Sequence, residues 1–239
     1  MKALISMSLV AVACGLTACG GSSDPISAKS CFDGSIYSPT SEVKHDYDEV
    51  TGTGLMGSYS ATIKGSDGTA AFNGQTNLNT LEVYRGRIDA VPISGIGNST
   101  TSHYVRMSPN GDIVNYGYKI LAGSGLATTR IESTFSPPIT DRKYTLEESE
   151  SFQYTTTETR TQRQVSSQQT NTTSTPLSAT IAFVGIETIS IGPRSVEACR
   201  FTNNGSQEWF YRGILVQSSD TNGKTTRQTR SLTRDNQAF

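Results

Sequence analysis

Apolar and polar side chains alternate in short runs over most of the chain, and the runs are separated by turn-forming residues. His103-Tyr104-Val105-Arg106-Met107 is one such run. Ile113 to Leu121 is another, with Val114, Tyr116, Tyr118 and Ile120 on one face. Leu78 to Arg85 and Ser206 to Val216 read the same way. A period of two puts alternate side chains on opposite faces of a strand. Asp67-Gly68, Asn73-Gly74, Asn110-Gly111, Asn204-Gly205 and Asn222-Gly223 are hairpin-turn dipeptides, because these residue types tolerate positive φ. No long stretch shows the i, i+3, i+4, i+7 apolar spacing of an amphipathic helix. Short strands between regular turn signals predict an all-β antiparallel meander, a single domain over residues 31–239.

The segment from Tyr154 to Thr175 is dominated by Thr, Gln and Ser. Threonine suits a pleated surface, but a tract this polar also fits a disordered loop. Phe152 and Tyr154 before it, and Ile181 and Phe183 after it, favour strands that leave the core at their tips. The chain is only 34% hydrophobic, and less so once the apolar N-terminal run is set aside. A sandwich would need two full inner faces, whereas one curved sheet with a wet side needs fewer apolar residues. An open barrel or half-barrel follows, with Tyr, Phe, Ile and the single Trp on its concave face. Twenty Lys+Arg against 21 Asp+Glu excludes the basic excess of a phosphate-tracking nucleic-acid binder.

The N-terminus has its own grammar. Met1-Lys2 precedes an apolar run from Ala3 to Ala13, the layout of a secretory signal peptide helix and too short to span a bilayer. The run ends in Leu16-Thr17-Ala18-Cys19-Gly20. This stretch resembles the lipobox of bacterial lipoproteins. The resemblance implies cleavage after residue 18, lipidation of Cys19 and a membrane anchor, with palmitate-type chains holding the protein in place. Gly20, in place of an Asp, implies the outer membrane. Residues 1–18 are then a signal peptide and 19–30 a flexible tether. Cys31 and Cys199 are the thiols that remain besides Cys19. They lack metal-ligand spacing, and an exported chain matures in an oxidising compartment. A disulfide between them is expected, worth roughly 4–5 kcal/mol in the loop-entropy account. Two separately buried thiols are the alternative.

The stretch Phe183 to Phe201, with Gly185-Ile186-Glu187, Gly192-Pro193 and Ala198-Cys199, together with Trp209-Phe210-Tyr211-Arg212-Gly213, resembles bacterial envelope lipoproteins of the LolA/LolB-like open-barrel kind. It departs from them at Gly192-Pro193-Arg194-Ser195-Val196. The resemblance implies binding or carriage of a lipid or other hydrophobic ligand. Trp209, Tyr211 and Phe183 are the candidate ligand-binding residues, although the same aromatics would equally close a core.

Other constellations point to less. Gly52-Thr53-Gly54-Leu55-Met56-Gly57 fits GxGxxG but lacks the strand before and helix after that a dinucleotide site needs, and reads as a glycine-rich turn. His45-Asp46-Tyr47-Asp48-Glu49 reads as a solvated loop. Arg227, Arg230 and Arg234 read as a charged edge strand. With two His and no nucleophile elbow, no catalytic residue, metal site or cofactor is assigned. The expected protein is a lipid-anchored, non-enzymatic envelope protein that binds a hydrophobic ligand or an envelope partner. The alternative is a structural or interaction lipoprotein without a ligand cavity.

Overall fold

The computed structural model describes residues 25–50, 54–88, 98–123 and 128–238. The signal peptide, the lipobox and Cys19 lie outside the described residues. The fold is all-β and antiparallel. Its strands are β1 (Glu42–Val50), β2 (Met56–Gly65), β3 (Ala70–Phe72), β4 (Gln75–Arg87), β5 (Ser99–Met107), β6 (Ile113–Ala122) and β7 (Thr129–Asp141), followed by β8 (Ser151–Gln164), β9 (Thr170–Ile191), β10 (Arg194–Asn203), β11 (Ser206–Tyr211), β12 (Ile214–Ser219), β13 (Thr225–Arg234) and β14 (Gln237–Ala238). All five Xaa-Gly turn dipeptides fall between strands.

The meander closes. β13 pairs with β1, from Val43 opposite Arg234 to Glu49 opposite Arg227, which makes a ring of 12 strands rather than the open or half-barrel expected. β3 and β14 are short additions on β4 and β13. The arginine-bearing strand β13 is therefore a closing strand and not an edge. Arg227 turns inward toward Glu49, while Arg230 and Arg234 meet Asp48 and Asp33 at 3.5 and 2.8 Å. Closure removes sheet edges, which are otherwise templates for aggregation.

On β1 the buried positions are Val43, His45 and Tyr47, alternating with the outward Lys44, Asp46 and Asp48. The stretch read as a loop is thus a strand, and its three carboxylates divide between its faces. On β2, Tyr59, Ala61 and Ile63 face in and Ser58, Ser60 and Thr62 face out. The outer face of these strands is polar, unlike the apolar girdle of a membrane-spanning barrel.

Two local features depart from simple alternation. In β6 the pairing with β7 jumps between Asn115 and Gly117. A Cβ at Gly117, which has φ +146°, would come within 2.1 Å of the Ser133 carbonyl oxygen, so only glycine lets the strands approach here. The bulge breaks the expected single face from Val114 to Ile120, because Ile113, Asn115 and Ile120 share the inner side. The run from Ser206 to Val216 is also two strands, folded back at Arg212-Gly213 with both residues at positive φ.

The N-terminal segment packs across one end of the ring. Its 3-10 turns are Ala28–Cys31 and Gly34–Tyr37. The Ala28 N–H donates to the Leu146 carbonyl at 3.0 Å, and the Gly213 N–H to the Cys31 carbonyl at 2.7 Å. Cys31 and Cys199 form a disulfide, with Cα atoms 5.8 Å apart. Ala28 is wholly buried and Ser27 bridges Glu147, so the anchored part begins before residue 30, inside the stretch read as a tether. Gly65 carries no side chain where the Tyr37 backbone lies; a Cβ there would meet it at 2.2 Å.

Two core clusters hold this end. One joins Phe183, Phe201, Phe210 and Tyr144 around the disulfide. The other joins Ile36, Val43, Ile191, Trp209, Val216 and Leu232. The Thr-rich segment is ordered as the hairpin of β8 and β9, paired from Ser151–Ala182 to Arg163–Thr170.

Candidate functional site

Inward side chains do not fill the barrel. They enclose a cavity of about 740 Å³ to which each of the 12 ring strands contributes at least one residue, so the cavity is the lumen of the barrel. Twelve strands make a wider cylinder than the eight that side chains can fill. The volume lies within the range of small-molecule sites, about 300–1,000 Å³. Phe32, Tyr37 and Tyr144, from the N-terminal segment and the 3-10 turn Lys143–Thr145, contribute to its lining. The walls are mainly apolar, with Ile63, Leu81, Val83, Val105, Ile120 and Ile181 among them.

Polar groups interrupt this surface, and several are held by a partner. Lys143 pairs with Asp141 at 3.0 Å and lies 4.3 Å from the Phe210 ring centre. Burial pushes the Tyr37 and Tyr144 hydroxyls up, and the Asp141 charge adds to this, so both phenols stay neutral. Asn203 donates to Glu208 at 3.1 Å.

His45 is 3% exposed. The Thr229 hydroxyl donates its one proton to the Val216 carbonyl at 2.6 Å. Its oxygen is left to accept from His45 Nε2 at 2.7 Å, which assigns the imidazole proton to Nε2. Burial first, then the Arg227 charge, lowers the His45 pKa to about 3. His103 on the lumen wall is lowered by burial as well. Both imidazoles are neutral at pH 7.

A second polar group is built across three strands. Glu49 lies opposite Arg227 on β13 and opposite Gly57 on β2. Arg227 donates through Nε to Glu49 Oε1 at 3.1 Å and also through Nη2. Arg85 reaches over β2 from β4 and donates to Glu49 Oε2. Its guanidinium carbon lies 3.7 Å from the Tyr59 ring centre, and that of Arg227 lies 4.4 Å from the Tyr47 ring centre. Such stacking fixes the planes of the guanidiniums. Gly57 makes room: a Cβ there would stand 3.0–3.2 Å from the Tyr59 ring and hydroxyl.

The aromatics singled out from the sequence lie elsewhere. Phe183 is 1% exposed, in the core against Phe201. Trp209 is 7% exposed in the second core cluster, and its indole N–H donates to Glu187 at 2.8 Å. Tyr211 borders a separate groove of about 350 Å³ beside Cys31 and Val196. None of the three lines the lumen. The residues that do include His45, Arg85, His103 and Arg227. For His45 the signal was the odd-numbered register Val43-His45-Tyr47-Glu49, obscured by charge at every second place.

Fold and cavity together define a class: a closed antiparallel β-barrel with a mainly apolar, chambered interior. In comparisons with known proteins, the chain matches no family model, no curated protein and no solved structure.

Proposed function

We propose that the protein is a lipid-anchored component of the bacterial envelope that holds a hydrophobic or amphiphilic molecule inside its barrel without chemically altering it. The lumen carries this reading: a chamber of about 740 Å³ lined from every ring strand, with branched aliphatic side chains such as Ile63, Val83, Val105, Ile139, Ile181 and Leu215 forming much of its wall. Apolar walls bind apolar chains without directional demands. The lipobox-like sequence ending at Cys19 supports anchorage. The likeness of residues around 183–216 to LolA/LolB-like lipoproteins supports a lipid as cargo. On this reading the protein acts at the outer membrane, with neither nucleic acid nor cofactor. Native mass spectrometry of the protein purified from its own envelope tests it. A co-purifying lipid and a triacylated residue 19 are the expected result; an empty barrel that takes up no amphiphile overturns it.

A second reading has one observation in its favour. Residues 170–179 of β9 pair with β8 alone, since β10 reaches β9 only from Ile181 onward. A one-sided strand is the edge that β-augmentation uses. A stoichiometric protein partner in the same spectra would favour a role in assembly.

A further inference from the structure

The lumen is not uniformly apolar, and at one place two of its cations share one carboxylate. Near the strand ends that lead into the β1–β2 and β4–β5 connections, Arg85 and Arg227 converge on the single carboxylate of Glu49. Two guanidiniums against one carboxylate leave one positive charge. Among the described residues packed against it, His45 and Tyr47 supply no anion, and Asp48 faces away, engaged by Ser58 and Arg230. Arg85 Nε is buried with no hydrogen-bond partner among the described residues. An unpartnered buried donor on a cation is costly. Both guanidiniums are stacked on tyrosines, so their remaining donors are already oriented. Both also line the same cavity as Ile63, Val83 and Ile120.

We propose that the lumen binds an amphiphile with an oxyanion head, a carboxylate or a phosphate, seated between Arg85 and Arg227 with its apolar tail along the aliphatic wall. This rests on the ligand-carrier reading and narrows it. The head neutralises the second guanidinium of this cluster and offers an acceptor to the spare guanidinium donors, in the fork geometry that arginine presents to carboxylate and phosphate. Glu49 is then a resident competitor: it holds the two cations in place when the head is absent and shares them when it is present.

The test is displacement of a neutral fluorescent probe, phenylnaphthylamine, from the purified full chain. The competitors are dodecanoate, dodecyl phosphate and dodecanol, which share one tail and differ in the head. The expected result is that at least one anionic competitor outbinds the alcohol by about tenfold or more. Whether dodecanoate or dodecyl phosphate leads identifies a fatty acid or a phosphate ester as the source. The preference ratio falls to near one in Arg85→Gln/Arg227→Gln. It rises in Glu49→Gln, a gain that misfolding cannot imitate. Thermal melts establish that each variant is folded. If the alcohol competes as well as both anions, or the preference survives loss of both arginines, the head-group site is wrong while the lumen reading stands. If neither the probe nor any competitor enters the barrel, both fall.

Discussion

The two halves of β9 form one continuous strand, yet different forces hold them. Residues 170–176 are exposed on both faces and pair only with β8. From Ala179 the strand alternates buried Ala179, Ile181 and Phe183 with outward positions; it meets both β8 and β10 at Ile181 and Ala182 and then runs to Ile191 along β10. The first half is held by the backbone ladder and by hydroxyl contacts such as Thr161–Thr172 at 3.2 Å and Thr159–Ser174 at 3.1 Å. The second half is held by burial against Phe201 and the disulfide-bearing strand. Regular pairing is therefore no measure of stability: the same hydrogen-bond pattern runs through a packed wall and through a projection that buries almost nothing.

Substitutions in the packed half should outrank those in the projection. Replacing both Cys31 and Cys199 with serine should cost about 4–5 kcal/mol in urea unfolding, since the bridge closes a 168-residue separation. Phe201→Ala, at a side chain wholly buried between Phe183 and Phe210, should cost about 3 kcal/mol or somewhat more in the same assay. An equal cost from a change in the hairpin tip would break the contrast.

Acidification should also act through the packed barrel. The folded pKa of His45 lies far below its unfolded value, at about 3. Above pH 6.5 both states are neutral and the group contributes no pH dependence. As pH falls below 6.5 the unfolded chain binds a proton that the folded barrel refuses, so stability drops. The slope approaches about 1.4 kcal/mol per pH unit for this residue, and His103 adds in the same direction. Thermal melts between pH 7 and 5 check this, and His45→Gln should flatten the curve.

The smallest effect is expected at the tip. Thr172→Ala should change stability by no more than about 0.5 kcal/mol. Amides of residues 170–176 should exchange far faster than those of 181–191.

Much of this architecture was legible in the chain. The five Xaa-Gly dipeptides mark strand connections because positive φ is a local requirement. The Cys31–Cys199 bridge followed from compartment and spacing. What was hidden is non-local. Closure depends on β13 meeting β1 far earlier in the chain, as in the pairing of Val43 with Arg234, and no short window carries that. The bulge at Gly117 reverses the face of β6 through contact with Ser133, and the turn at Arg212-Gly213 uses an arginine where asparagine would have been read. The site was missed for a related reason. Trp209 and Phe183 are the conspicuous aromatics, but conspicuous aromatics close cores. The lumen wall includes His45, Arg85 and Arg227, whose polarity reads as surface until strand register places them inside.

The central claim is that the barrel interior is a binding chamber. Titration of phenylnaphthylamine into wild type and into Thr101→Trp, which puts an indole on the lumen wall, tests it directly. Saturable binding near one equivalent in wild type, lost in a Thr101→Trp protein that still melts cooperatively, is the predicted result. Binding that Thr101→Trp leaves unchanged, or no binding to wild type, would contradict it.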